Sequence, residues 1–225
     1  MHSKKDDLER LETEIRANKS LPLIEANLVF GEGDENCDVM FIGEAPGFHE
    51  DKLGRPFVGR AGQLLDKLIG EIGWKRTDVY ITNIVKRRPP ENRDPFPEEI
   101  ESYKPYLARQ IEIIKPKVIA TLGRFSMNYF LPLAKISHDH GRVFRKDPPS
   151  QSFGEASEMI IYPLYHPAAA LRATAVLNDL RADFKKIPDV VAGILVAVTE
   201  EKNSVFTPQS PPTPKKSSTP QSKLF

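Results

Sequence analysis

The feature that most constrains the fold is the repeated alternation of short apolar runs with amphipathic helical stretches. The candidate strands are residues 38–43, 78–85, 117–122, 142–144 and 158–164. The candidate helices are residues 8–16, 61–72, 97–114 and 179–187, with another stretch after Gly123. Strands that alternate with helices in this way predict an α/β protein, a three-layer α/β/α fold with a central, mostly parallel sheet.

Three chemically distinctive segments follow predicted strands, at the edge where ligands bind to parallel sheets. The first is a glycine-rich loop that begins at Gly43 and contains Phe57, an aromatic ring able to stack on a flat ligand. The second is Asn83, whose amide carries a donor and an acceptor side by side, as the edge of a nucleobase does. The third is His166, followed by proline. Each alone is typical of a turn, a cap or a structural histidine, but together they favour a site.

Composition gives little direct indication of a partner. The net charge is only +1, so DNA binding would need a local patch of cations. The single cysteine, Cys37, excludes an internal disulfide and a cysteine-based zinc site. The charged opening residues lack the apolar core of a signal peptide, and no apolar run approaches the ~20 residues needed to cross a bilayer. We expect a cytoplasmic monomer without membrane contact.

Seven motifs, in order along the chain, resemble the family 4 uracil-DNA glycosylases. They are GEAPG, EDKLGRPFVGRAGQLL, VYITNIVK, RRPPENR, PYLARQI, PKVIATLGR and YHPAAALR. The resemblance runs from about residue 21 to residue 187. It implies an enzyme that flips uracil out of DNA and hydrolyses its N-glycosidic bond, the first step of base excision repair.

The resemblance also implies roles for the pocket residues. Glu44 and Ala45 would lie at the pocket floor, Gly43 would also bind the substrate, and Phe57 would stack on the flipped base. Asn83 would bond the uracil edge and reject cytosine, and His166 would donate a hydrogen bond to uracil O2.

The attacking water has no obvious partner in the sequence. Related families have an aspartate in the first motif, where this chain has Ala45. Glu44 and Glu50 are therefore the candidate catalytic carboxylates for positioning the water. On the DNA-facing surface we expect Arg87, Arg88, Leu171 and Arg172, with Leu171 as a wedge that fills the vacated base stack.

The chain departs from the family at the iron–sulfur cluster. The four cysteine positions of the family correspond here to Asn18, Leu21, Arg87 and Tyr103. Because thiolates bind such clusters, we expect no cluster, no other metal and no cofactor. Packing of Leu21 and Tyr103, with charge pairs of Arg87, would replace the cluster.

The sequence divides into three parts. Residues 1–188 are the predicted glycosylase domain with its N-terminal helix, and residues 189–206 are a weakly patterned extension. Residues 207–225 are proline- and serine-rich and predict a disordered tail. The tail ends in Gln221-Ser222-Lys223-Leu224-Phe225, which resembles the Q-x-x-L-F peptide that docks on the bacterial sliding clamp.

Two other functions compete with catalysis. A non-catalytic DNA- or clamp-binding protein on the same fold would have no need to keep Phe57, Asn83 and His166 together. A nucleotide-binding enzyme of another kind is disfavoured, since neither GxxxxGK[S/T] nor GxGxxG occurs.

Overall fold

The apolar runs form the strands of one sheet. The computed structural model describes residues 3–146 and 159–195. The strands in these ranges are β1 Glu32–Gly33, β2 Val39–Gly43, β3 Tyr80–Asn83, β4 Val118–Leu122, β5 Phe144–Lys146 and β6 Met159–Leu164. Strands β2, β3 and β4 are buried at every position, as parallel strands covered on both faces must be.

The strand order places the ends of β2 and β3 side by side. The order is β1-β3-β2-β4-β6-β5, in which the four inner strands are parallel and the two edge strands antiparallel. Gly43 pairs with Asn83 in the register of β2 and β3. The mostly parallel sheet predicted from the sequence is therefore confirmed, and its carboxyl edge joins two of the predicted site segments.

Helices cover both faces of this sheet. They are α1 Lys4–Ala17, α2 Phe48–Leu53, α3 Arg60–Glu71, α4 Pro97–Ile114, α5 Arg124–Phe130, α6 Ile136–Asp139, α7 Pro167–Ala170 and α8 Thr174–Val191. Apolar residues of α1, α4 and α5 pack on one face, and those of α3, α7 and α8 pack on the other. This arrangement confirms the predicted three-layer α/β/α fold.

The side chains of β2 pack against the helices on both faces of the sheet. Met40 and Ile42 point into the cluster with α1 and α4, whereas Val39 and Phe41 point into the cluster with α3 and α8. This alternation follows the two-residue period of a strand. The Phe41 ring stacks on Phe184 of α8, with the centroids 5.5 Å apart.

Helix ends follow local signals in the sequence. Helix α1 begins with a capping box, in which Ser3 and Asp6 each bond the other's backbone N–H. Helix α4 has Pro97 at its first position and Glu98 and Glu99 in its first turn, where the helix dipole favours acids.

Several predicted boundaries were wrong. The segment 44–56, predicted as loop, contains the short helix α2, which ends at Gly54 with a φ of +66°. The strand predicted at 142–144 lies at Phe144–Lys146, and the helix predicted at 179–187 spans Thr174–Val191. Helix α8 therefore continues across residue 188, where the sequence suggested the end of the domain. The two-residue strand β1 has too little pattern to be recognised.

Some predictions concern residues outside the described ranges. These are the start of the last strand at Glu158, most of the 189–206 extension, and the tail 207–225 with its clamp-like peptide. Within the described ranges, every helix is too short or too polar to cross a lipid bilayer.

Candidate active site

The predicted site segments meet at the carboxyl edge of the sheet. A Cβ atom on Gly43 would overlap the Asn83 Oδ1 atom and lie 2.7 Å from Cε2 of the Phe57 ring. The Phe57 ring in turn lies 5.7 Å from the His166 ring, centroid to centroid. Gly43 is therefore required at this position, because any side chain there would displace the amide and the ring.

Gly123, the residue directly after β4, also lies at this site, in contact with His166. Its φ of +93° is disfavoured for residues with a side chain, and an added Cβ would lie 2.9 Å from the His166 Cβ. The backbone after β4 thus forms a wall against which His166 rests.

The Asn83 side chain is buried without a partner for its oxygen. The residue is 2% exposed, and no group in the described residues donates to Oδ1. Buried polar atoms are nearly always hydrogen-bonded in folded proteins, so an orphaned one is a functional signal. A ligand with a donor beside an acceptor would satisfy the amide.

His166 is fixed as a neutral hydrogen-bond donor. It caps helix α7, and its Nδ1 atom accepts a hydrogen bond from the Ala168 N–H at 3.0 Å. Burial lowers the pKa of the imidazole to about 4, although the Glu50 carboxylate opposes this shift. At neutral pH the ring is therefore uncharged. Because Nδ1 accepts, the ring proton is on Nε2, which can donate to a ligand.

Phe57 has a backbone conformation that the surrounding structure must hold. Its φ is +49°, a left-handed value that costs on the order of 1–3 kcal/mol for such a residue. Glu50 Oε1 accepts hydrogen bonds from the N–H groups of Val58 and Gly59, at 2.9 and 2.8 Å. Glu50 thus secures the loop directly after the aromatic ring.

Arg76 secures the same loop from the other side, and sequence reasoning missed it. Its guanidinium donates to Pro56 O and, at 3.2 Å, to Phe57 O. Glu32 and Asp66 hold the guanidinium through ion pairs of 2.8 and 2.6 Å. These partners are far apart in the sequence, so no local pattern could have revealed the role.

For the uracil release that the resemblance implies, we expect Arg76→Gln to lower kcat/KM by about 10- to 100-fold, because a misplaced Phe57 ring costs stacking and orientation. Arg55→Gln is the matched control, since Arg55 also pairs with Glu32 but contacts neither carbonyl of the loop. Steady-state kinetics and inhibition by free uracil measure the effect. If Arg76 acts through Phe57, Arg76→Gln causes no further loss in a Phe57→Ala background. Independent losses would contradict a positioning role.

Glu44 is a half-buried carboxyl group at the first residue after β2. Its own backbone carbonyl accepts from the Val85 N–H at 3.0 Å, which ties the loop to the segment after β3. Burial and, to a smaller extent, the nearby Asp94 together raise the pKa of the carboxyl to about 7, although Arg124 opposes the rise. Glu44 can therefore exchange a proton near neutral pH. Ala45 beside it is partly buried against the cluster that includes α1 and α4.

Two of the three residues in the basic run 86–88 point inward. Lys86 is fully buried, and its ammonium donates to Thr82 Oγ1 at 2.7 Å, to Asn83 O at 2.8 Å and to Gln110 Oε1. Arg87 is 7% exposed and donates to the backbone carbonyls of Ala26 and Ile24. The prediction that Arg87 faces DNA is therefore corrected, since its guanidinium braces the N-terminal loop. Arg88 remains partly exposed.

The four positions that carry cluster cysteines in the resembling family lie in this braced region. Arg87 contacts Tyr103, the Tyr103 hydroxyl donates to Pro22 O at 2.7 Å, and Asn18 donates to Tyr106 Oη at 2.8 Å. Leu21 packs in the same apolar cluster as Tyr103. None of the four is a thiol and one is a cation, so these residues do not fit an iron–sulfur cluster.

Among residues 3–146 and 159–195, no group of three or more His, Cys, Asp or Glu side chains is placed to hold a metal ion. Cys37 is buried on the α1 side of the sheet.

Leu171 and Arg172 lie at the end of α7, a few residues beyond His166. Both are exposed, and the Arg172 N–H donates to the Ala169 carbonyl at 3.0 Å. An apolar and a cationic side chain are therefore exposed shortly after His166 in the chain, and contact of either with DNA stays a prediction.

The fold and the pocket together define a class of protein that binds a planar, hydrogen-bonding ring. A stacking ring, an amide edge and a neutral imidazole donor meet at the carboxyl edge of a parallel sheet. The comparison with known proteins specifies the class further.

The chain belongs to the Uracil DNA glycosylase superfamily, whose family model matches residues 30–187. A Type-4 uracil-DNA glycosylase of Sulfurisphaera tokodaii is 46% identical over 189 residues, which are 82% of this chain and 85% of the relative. The Saccharolobus solfataricus protein of that name is 44% identical, over 83% of this chain and 88% of the relative. The Thermotoga maritima one is 40% identical, over 80% and 91%. These relatives confirm the resemblance predicted from the motifs.

Proposed function

We propose that this chain excises uracil from DNA by hydrolysing the N-glycosidic bond, which initiates base excision repair, with His166, Asn83 and Phe57 as the central residues. The observation that carries the proposal is the orphaned Asn83 amide, buried beside Phe57 and close to a neutral imidazole donor. The family is one of DNA glycosylases, which are hydrolases.

Recognition of the base follows from the Asn83 amide and the Phe57 ring. Uracil has an N3–H donor next to the O4 acceptor, the complement of an amide edge, whereas cytosine has the opposite pattern. Extruding a base from a duplex costs a few kcal/mol. Stacking on an aromatic ring returns on the order of 1–3 kcal/mol, which offsets much of that cost.

His166 acts on the leaving group. As the glycosidic bond breaks, negative charge develops on the uracil ring and positive character on the sugar. The Nε2–H of His166 donates to uracil O2, where part of this negative charge collects. Such a donor lowers the barrier by roughly 3–4 kcal/mol. The low pKa of about 4 keeps the donor neutral across the physiological range.

Glu44 positions the water that attacks the sugar. Glu44 directly follows Gly43 in the chain, and burial is the main cause that raises the pKa of its carboxyl to about 7. Glu50, the other candidate, uses Oε1 to hold the Phe57 loop. We therefore assign Glu44 to the water and Glu50 to positioning.

The pH profile tests the assignment to Glu44. Its pKa is raised, so the carboxylate is lost as the pH falls through about 7 and is present above it. We expect kcat/KM to rise with pH to a plateau, with an apparent pKa of about 7. In Glu44→Gln this limb disappears, and the plateau falls by about 10²-fold or more, as for loss of a general base.

Two neighbours provide matched controls for the pH profile. Asp94→Asn removes a repulsive charge and should move the limb to lower pH, whereas Arg124→Gln removes an attractive charge and should move it to higher pH. A limb that stays in place in both variants, or that persists in Glu44→Gln, belongs to another group.

A direct assay separates catalysis from binding alone. The purified protein is incubated with a single-stranded oligonucleotide that contains one uracil, and free uracil is measured by chromatography. Alkali then cleaves the strand at the abasic site. An oligonucleotide with thymine in the same place is the control. If no uracil is released at any enzyme concentration, the chain is a DNA- or clamp-binding protein on this fold.

The remaining proposals rest on the sequence. The chain acts as a monomer. It acts without an iron–sulfur cluster, because a single cysteine cannot supply the four thiolates. The segment 207–225 tethers the peptide 221–225, which docks on a sliding clamp through Leu224 and Phe225.

A further inference from the structure

An exposed aromatic ring lies next to a cation, on the short helix that carries Glu50. Phe48 is the first residue of α2 and is 53% exposed. The guanidinium carbon of Arg88 lies over this ring, 5.2 Å from its centroid. The reaction proposed above uses neither side chain, although an exposed phenyl ring is unfavourable in water.

Short connections tie this pair to the uracil pocket. Phe48 lies two residues before Glu50, whose carboxylate holds the backbone after Phe57. The ring of His49 contacts Phe48 edge-on, and its Cδ2 would lie 3.6 Å from a Cβ on Gly59. Arg88 follows Asn83 by five residues. Both members of the pair are therefore fixed relative to the pocket.

Arg88 has hydrogen-bonding capacity that the protein does not use. Its Nε donates to Asn92 Oδ1 at 2.7 Å, which fixes the guanidinium plane. Within the described part of the chain, this is the hydrogen bond that the Arg88 guanidinium makes, and its two terminal nitrogens make none. Arg88 also lines a cleft whose other residues are Leu23, Glu25, Ala26, Asp51, Pro89 and Pro90. A cation held rigidly beside an exposed ring matches one nucleotide, with its phosphate and its base.

We propose that Phe48 and Arg88 form a subsite for the nucleotide next to uracil in an unpaired DNA strand. The base of that nucleotide stacks on the face of Phe48 that Arg88 leaves open, and the guanidinium pairs with its phosphate. In a duplex the same base is already stacked on its neighbours, so the subsite favours single-stranded DNA. This inference rests on the proposed uracil excision.

Single-stranded substrates that lack one neighbouring base test the subsite. In these oligonucleotides a tetrahydrofuran abasic analogue replaces the nucleotide 5′ or 3′ to uracil. We expect one of the two replacements to lower wild-type kcat/KM by about tenfold, the range of one base–aromatic stack. On the complete strand, Phe48→Ala should lower kcat/KM by about the same factor, and on that analogue it should lower kcat/KM no further. Phe48→Trp should behave as the wild type on both strands.

The controls separate stacking from general apolar contact. Leu53 is 60% exposed on the same helix, so Leu53→Ala should match the wild type on every strand. Arg88→Gln should reduce the slope of log KM against log salt by about 0.7, the loss of one phosphate contact in a single strand.

Three results would overturn the subsite. In the first, the wild type cleaves both abasic analogues as fast as the complete strand. In the second, Phe48→Ala lowers kcat/KM on the analogue as much as it does on the complete strand, so the two losses multiply. In the third, Leu53→Ala lowers kcat/KM as much as Phe48→Ala does. The first result rejects the subsite but not uracil excision, provided that the wild type still releases uracil from these strands. A wild-type protein that releases no uracil from any strand rejects both proposals.

Discussion

Replacing His166 with alanine is expected to lower kcat for uracil release by about 10²- to 10³-fold, the effect of removing one preorganised donor from a developing oxyanion. The affinity for uracil-containing DNA should change little, because the donor interacts most strongly with charge that exists only in the transition state. Single-turnover kinetics and a binding isotherm measure the two quantities separately.

The alanine variant also removes the cap of helix α7, so it needs a control. His166→Asn keeps an acceptor for the Ala168 N–H, because asparagine is a strong capping residue, but it has no group at the Nε2 position. We expect His166→Asn to melt close to the wild-type temperature and to be as slow as His166→Ala. Wild-type kcat in the asparagine variant would show that His166 is structural.

The second large effect is expected at Asn83. In Asn83→Asp the donor that faces uracil O4 is lost, and the buried carboxyl presents an edge that suits cytosine better. We expect kcat/KM on uracil to fall by about 10²- to 10³-fold, because a site built for a hydrogen-bonding pattern discriminates strongly against its loss. The ratio of uracil to cytosine release should fall with it.

Asn83→Leu separates recognition from packing. Leucine is similar in size to asparagine and fills the buried site next to Gly43, but it bonds neither base. Uracil release should fall in this variant without any gain on cytosine. If Asn83→Asp keeps the wild-type ratio of uracil to cytosine release on matched oligonucleotides, Asn83 does not read the edge of the base.

The sheet could be predicted because its physical cause is local in the sequence. Strands β2 and β4 are covered on both faces, so they appear as continuous apolar runs, and helix α3 shows its buried face as periodic leucines. The rule that ligands bind beyond the carboxyl ends of parallel strands then selected Gly43, Asn83 and His166. The structure brings these three together.

The direction of charged side chains could not be predicted in the same way. In the sequence, Lys86 and Arg87 are typical of a surface patch of cations. In the structure both are buried, because Lys86 donates to the Gln110 amide oxygen and Arg87 donates to backbone carbonyls. Arg76 holds Phe57 through contacts across 19 and 20 residues. Such roles depend on which distant groups the fold leaves unpaired, and no local pattern records that.

The braced region around Arg87 contains the four positions that correspond to cluster cysteines in the resembling family. The Arg87 guanidinium holds two carbonyls of the N-terminal loop, and the Tyr103 hydroxyl holds a third. Burial raises the pKa of Tyr103 to about 12, so the hydroxyl keeps the proton that it donates. A network of neutral donors and one cation therefore ties the loop to α4.

The central claim is that one pocket binds uracil between Phe57, Asn83 and His166. A crystal structure of the protein soaked with free uracil tests it most directly. We predict that the pyrimidine stacks on the Phe57 ring, with the Asn83 amide on its N3–O4 edge and His166 Nε2 within hydrogen-bonding distance of O2. Uracil bound at another place, or in this pocket with His166 turned away from O2, would contradict the account.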